Sequence, residues 1–125
     1  MPPTSAQSDL ATKINALLEK QAKRKNERRI SYTDLVEMLS EQFGKMSPRD
    51  PTFHQALGRL TRQYKHTGAP ILTALVVRRG HKRRPTRPGL GYFRDAYGLS
   101  SDHWQRGIKQ WEAELDNIRR RYQPT

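Results

Sequence analysis

Between residues 51 and 94 the chain carries ten basic side chains and no Asp or Glu: Arg59, Arg62, Lys65, Arg78, Arg79, Lys82, Arg83, Arg84, Arg87 and Arg94. The nearest acids, Asp50 and Asp95, stand at the two borders. Guanidinium and ammonium groups at this density are suited to holding phosphate oxygens, Arg through a planar fork of donors and Lys as a point charge. Left unneutralised, such a run repels itself as the chain compacts, so an anionic partner or a solvated surface must compensate.

Other chemistries find little support. His54, His66, His81 and His103 are scattered, without the paired spacing that puts two ligands on one helix face. Inside the basic stretch there is no carboxylate to hold magnesium for nuclease chemistry. Asp50 and Asp95 read as a helix cap and a loop acid. The chain has no cysteine, which excludes thiol nucleophiles, disulfides and thiolate zinc sites. Neither a Ser/His/Asp set nor a phosphate-binding Gly loop is present. The expectation is a non-enzymatic protein with no metal and no cofactor.

The formal charge of +12 is unevenly placed. Residues 1–29 hold seven bases against three acids, residues 30–50 two against four, residues 51–94 ten against none, and residues 95–125 five against five. An excess confined to two segments points to a polyanion rather than to general solubilisation, and nucleic acid is the favoured partner over an anionic membrane face. No apolar run approaches a membrane span, and the N-terminus lacks a signal-peptide core, so a cytoplasmic protein is expected, nucleoid-associated if it binds DNA. At 34% hydrophobic residues recurring at regular spacings, 125 residues should form one domain with a small core.

The elements that must position these charges follow in order. Residues 1–8 are Pro/Ser/Thr-rich and read as a flexible N-terminus. Ser8 or Asp9 can cap a helix whose apolar face is Leu10, Ile14, Leu17 and Leu18. The charge run over residues 20–29 reads as a solvated helix end or as a basic arm for phosphates. Residues 29–32 suggest a tiny strand. Thr33 then caps a second helix with Leu35, Val36, Leu39 and Phe43 inward, ended by Gly44. Ser47 or Asp50 and Pro51 announce a third helix over residues 51–66. Its Phe53, Leu57, Leu60 and Tyr64 share one face, while Gln55, Arg59, Arg62 and His66 point the other way. Gly58 falls on that outer face, where it would permit close approach of another backbone.

The β-branched run over residues 71–77 predicts a buried strand. Residues 78–91, with three glycines and two prolines, predict a long hairpin tip, and Tyr92-Phe93 its return strand. Ser100 or Ser101 should cap a final helix over residues 100–125. Its apolar stripe, Trp104, Ile108, Trp111, Leu115, Ile118 and Tyr122, either packs on residues 9–99 or pairs with a second subunit.

This order resembles the winged helix-turn-helix family, from Leu10 to Phe93. The phrase Ile30-Ser31-Tyr32-Thr33-Asp34-Leu35 is similar to the start of that family's second helix. The fold class expected is therefore α+β, mainly α, a winged-helix-like domain with an added C-terminal helix. The resemblance implies that the third helix is the recognition helix, set in a major groove beside a wing. Thr52, Gln55 and Arg59 would then read base edges, while Arg62, Lys65 and His66 meet phosphates. Arg78, Arg79, Lys82, Arg83, Arg84 and Arg87 would track the backbone or the minor groove from the wing.

The function expected is a DNA-binding regulator or structural DNA protein of a bacterium or phage, acting on duplex DNA. One alternative is an RNA-binding protein stacking bases on Tyr32, Tyr64, Tyr92 or Phe93. Another is an adaptor or homodimer working through Trp104, Ile108, Trp111, Leu115 and Ile118.

Overall fold

A computed structural model describes residues 5–25, 28–78, 86–100 and 102–122, with residues 5–8 described by their backbone alone. It is mainly helical with one small sheet, an α+β architecture. Helix α1 (Ser5–Ala22) is followed by the two-residue strand β1 (Ile30–Ser31), then by α2 (Tyr32–Phe43) and α3 (Pro51–Thr67). A 3-10 turn (Leu72–Leu75) leads into strand β2 (Val76–Val77), then come α4 (Leu90–Tyr97), a second 3-10 turn (Trp104–Gly107) and α5 (Ile108–Arg121).

Helix α3 forms as its residues dictate. Asp50 caps it by accepting from Thr52 N at 3.0 Å, and Pro51 takes the first-turn position where no N–H is needed. Gly68 ends it in the left-handed conformation, φ 73°. Phe53, Leu57, Leu60 and Tyr64 are all buried, so the inward face is the expected one. α3 packs against α1 along one flank and against α4 along the other. The true cap of α2 is Ser31, whose hydroxyl accepts from Asp34 N at 3.0 Å, two residues ahead of the expected Thr33. Helix α1 starts at Ser5, ahead of the Ser8 or Asp9 cap.

The expected strand over residues 71–77 is mostly a 3-10 turn, and only Val76 and Val77 are extended. The cause lies in α5. Glu114 accepts from the backbone N–H of Ile71, and the Trp111 indole donates to Ala74 O at 2.9 Å. Backbone groups that a strand partner would satisfy are met by side chains instead, so the segment can curl while staying buried. What extended structure remains pairs in parallel, Ile30 with Val76 and Ser31 with Val77. Just beyond, Arg78 and Arg87 form an antiparallel bridge, with Arg78 N donating to Arg87 O at 2.8 Å.

No return strand forms at Tyr92-Phe93, because both lie inside α4. Tyr92, Phe93 and Ala96 are its buried face, and Gly98 ends it at φ 69°. The final α-helix begins at Ile108 rather than at residue 100, preceded by the 3-10 turn that places Trp104. Trp111 and Ile118 are buried in the common core, and Trp104, Ile108, Leu115 and Tyr122 are half-buried against it. The apolar stripe is thus largely consumed by packing within the chain. Among the described residues no helix is long and apolar enough to cross a membrane.

Candidate nucleic-acid interface

The outward strip of α3 carries Thr52, Gln55, Arg62, Gln63 and His66, all exposed, with Lys65 exposed at its edge. No acid occurs on this helix. Lys65 and His66 fall in its last turn, where positive charge also complements the helix dipole.

The two flanks of the strip differ. On the α1 side, Arg59 is half-buried and shares a groove with Asn15 and Glu19. Tyr64 donates to Asn15 Oδ1 there, and burial pushes its hydroxyl well above the usual tyrosine range. On the α4 side, Arg62 Nη1 lies 3.1 Å from Asp95 Oδ1, and Arg94 Nε reaches the same oxygen at 3.5 Å. The Asp95 side chain is only 8% exposed, against 60% for Arg62. One expected phosphate contact is therefore already paired with a carboxylate of the same chain. An exposed guanidinium in such a bridge gains little from it, about 1 kcal/mol or less, and can exchange the carboxylate for a phosphate.

Gly58 is not on an open outer face. A Cβ there would stand 2.7 Å from Asp95 Oδ2, so the missing side chain admits α4 rather than an outside backbone. Below this contact a cleft of about 480 Å³ opens between α3, the end of β2 and the start of α4. Its rim carries Arg49 from the turn before α3, Arg78 from the end of β2 and Arg94 from α4, all exposed. Its wall includes Tyr32 and His54, whose ring centroids are 5.9 Å apart. The Tyr32 hydroxyl accepts from Gly89 N at 2.8 Å. Burial raises its pKa, and the Gly89 hydrogen bond together with the charges of Arg78 and Arg87 pulls it partly back.

The other cations of the expected wing divide. Arg87 is half-buried, its guanidinium carbon 3.9 Å above the centre of the Trp104 ring, a cation–π placement that draws it toward the domain rather than outward. Arg79, Lys82, Arg83 and Arg84 lie outside the described residues. Of the aromatic residues considered for base stacking, Tyr64, Tyr92 and Phe93 are buried and Tyr32 is half-buried; Tyr32 and Tyr92 line the cleft, and Tyr64 lines the groove on the α1 side. Tyr92 and Tyr97 hydrogen-bond through their hydroxyls at 2.8 Å, and burial pushes Tyr97 up to about 12.

Sequence reasoning missed Arg49, Arg94, Asp95 and Tyr32 as neighbours of α3. The signal was present in the spacing of Tyr92, Phe93, Ala96 and Tyr97 ahead of Gly98, which is helical rather than alternating. Among the described residues no group of three or more His, Cys, Asp or Glu could hold a metal ion. No protein-family model, curated protein or solved structure matches the chain.

Proposed function

We propose that this chain is a non-enzymatic protein that binds duplex DNA in the manner of a winged-helix domain. In this reading α3 is the recognition helix, the segment whose ends Arg78 and Arg87 bridge is the wing, and α4 takes the place of the family's return strand. The observation that carries the reading is convergence. Arg49, Arg78 and Arg94, from three separate segments, stand around one cleft on the flank of an acid-free helix whose outer strip is exposed. Charges gathered on one side suit a polyanion, whereas charges scattered over the surface would not.

Phosphate contacts would supply most of the affinity. With Arg62 and Arg94 shared with Asp95 and Arg87 held over Trp104, Arg49, Lys65 and Arg78 remain for the backbone together with the four cations of residues 79–84. The log–log salt slope expected is then about −6. Thr52 and Gln55, near the start of α3, are the positions for base edges, each good contact being worth about 1–3 kcal/mol. A helix start can reach the floor of a major groove, and duplex DNA is favoured over RNA because the deep A-form groove does not admit one.

The test is a salt-series titration of duplex DNA, duplex RNA and single strands against the wild type, Arg59→Ala/Arg62→Ala, and Lys82→Ala/Arg83→Ala/Arg84→Ala. The expected result is preferred binding of duplex DNA, with a shallower salt slope in both variants. Unchanged affinity and slope in both would remove the assignment of this face.

A further inference from the structure

We infer that the cleft between α3, the end of β2 and α4 binds one nucleotide unit, a planar base together with its phosphate. The inference rests on the function proposed above, since the cleft is the one around which Arg49, Arg78 and Arg94 gather.

Size is the first ground. About 480 Å³ lies within the roughly 300–1,000 Å³ typical of small-ligand pockets, and exposed residues, Leu90 and Gly91 among them, line the cleft. Shape is the second. Three glycines line it, and two of them admit only what is already there: a Cβ on Gly58 would meet Asp95 Oδ2 at 2.7 Å, and one on Gly89 the Tyr32 hydroxyl at 2.9 Å. Those close approaches fix the two polar groups, while the third glycine, Gly91, faces open space with nothing nearer than Arg94 Nη2 at 3.9 Å.

Chemistry is the third. The rim arginines Arg49 and Arg78 have no carboxylate partner among the described residues. They can take a phosphate through paired donors. Tyr32, held by its bond from Gly89 and by its ring contacts with Phe53 and His54, lines the cleft as a fixed aromatic group for a base to pack against. Asp95 is mostly buried beside the cleft and can accept from ring or exocyclic N–H groups of a base. An anion pocket for phosphate alone would need neither the aromatic group nor the acceptor. A purely apolar ligand would leave the arginines without a partner.

The nucleotide could be free in solution or an unpaired residue of a nucleic-acid chain, and two arms separate the sources. Calorimetry on the full chain measures AMP, GMP, CMP and UMP against their nucleosides and inorganic phosphate. A competition assay compares blunt duplex DNA with the same duplex bearing one unpaired terminal nucleotide. Both are repeated with Gly91→Trp, which fills the cleft from an exposed, unstrained position, and with Arg49→Gln/Arg78→Gln.

A mononucleotide binding at least tenfold tighter than its nucleoside and than phosphate supports the inference with a diffusible ligand. A preference for the unpaired end without free-nucleotide binding supports it with a chain-borne one. In either case Gly91→Trp should cost tenfold or more. Equal binding of phosphate and nucleotide, insensitivity to Gly91→Trp, or no preference in either arm overturns it. Loss of blunt-duplex binding alone counts against the function proposed above, and the mononucleotide arm still decides this inference.

Discussion

The two flanks of α3 are built on opposite plans. Toward α1 the contact is closed at its base by apolar packing of Ile14, Leu18 and Leu60, and the Tyr64 hydroxyl is tied to Asn15 in the groove that Glu19 and Arg59 also line. Toward α4 the contact uses a glycine, a carboxylate shared by two arginines and an open cleft. The first plan fixes where the helix sits. The second leaves charged groups at the surface that can change partner, which is what a binding face requires. A single helix thus divides stability and recognition between its two sides.

The strongest way to break this contrast is to empty the closed side. Ile14→Ala should cost about 2–5 kcal/mol, read as a lowered urea midpoint, because a fully buried branched side chain leaves a cavity that neighbours only partly fill. The remaining folded protein should bind duplex DNA as before. If Ile14→Ala instead changes DNA affinity with little loss of stability, the division between flanks is wrong.

Alkaline titration is the next largest effect. Tyr32, Tyr64, Tyr92 and Tyr97 all have raised pKa values, caused first by burial. Below pH 10 each is protonated in both the folded and the unfolded chain, so stability is flat there. Above pH 10 the unfolded chain loses these protons and the folded chain does not, so stability falls as pH rises. The expected loss is about 1.4 kcal/mol per pH unit for each fully protected tyrosine. Chemical denaturation between pH 8 and 11.5 measures the slope. Tyr64→Phe should make it shallower by removing one protected hydroxyl from the α1 flank, and an identical slope would argue that Tyr64 titrates freely.

The open side should respond more weakly. Arg62→Ala is expected to change stability by about 1 kcal/mol or less, since the guanidinium is 60% exposed and Arg94 still reaches Asp95. Its mark should appear in binding, as a salt slope shallower by about one. A loss of several kcal/mol in stability would place the Arg62–Asp95 pair among the structural contacts instead.

The smallest effect separates two terms within the open flank. Gly58→Ala gains helix propensity, up to about 1 kcal/mol, but its Cβ presses on Asp95, which has little room to retreat. The two should nearly offset, with the balance slightly destabilising. In the Arg62→Ala background the same substitution should be better tolerated, because Asp95 then keeps only its longer contacts from Arg94, and Arg62 Nη1, itself 3.2 Å from that Cβ, is gone. Additive thermal shifts in the double variant would show that the two positions do not share Asp95.

How much of this was legible in the sequence follows from where each determinant lies. Helix α3 is encoded locally: Asp50, Pro51, the repeat from Phe53 to Tyr64 and Gly68 are all within one stretch, and its ends and its inward face could be read directly. Residues 71–77 were misread because what decides their conformation is Trp111 and Glu114, more than thirty residues later. Tyr92-Phe93 was misread because a hairpin was expected to need a return strand, and that expectation outweighed the helical spacing through Ala96 to Gly98. The basic character of the site was visible from composition alone. Its cleft was not, because it exists only once α4 brings Arg94 and Asp95 beside Gly58.

The dependence of residues 71–75 on α5 also sets an order of events during synthesis. Until α5 has left the ribosome, Ile71 N–H and Ala74 O lack the side chains that satisfy them, and the 3-10 turn has only the earlier helices α1 and α3 to pack on. The nascent chain therefore holds an apolar, β-prone stretch without its native backbone partners for the time needed to make roughly forty further residues, an interval of a few seconds at ordinary elongation rates. A chaperone that shields short apolar segments would have its one useful window then.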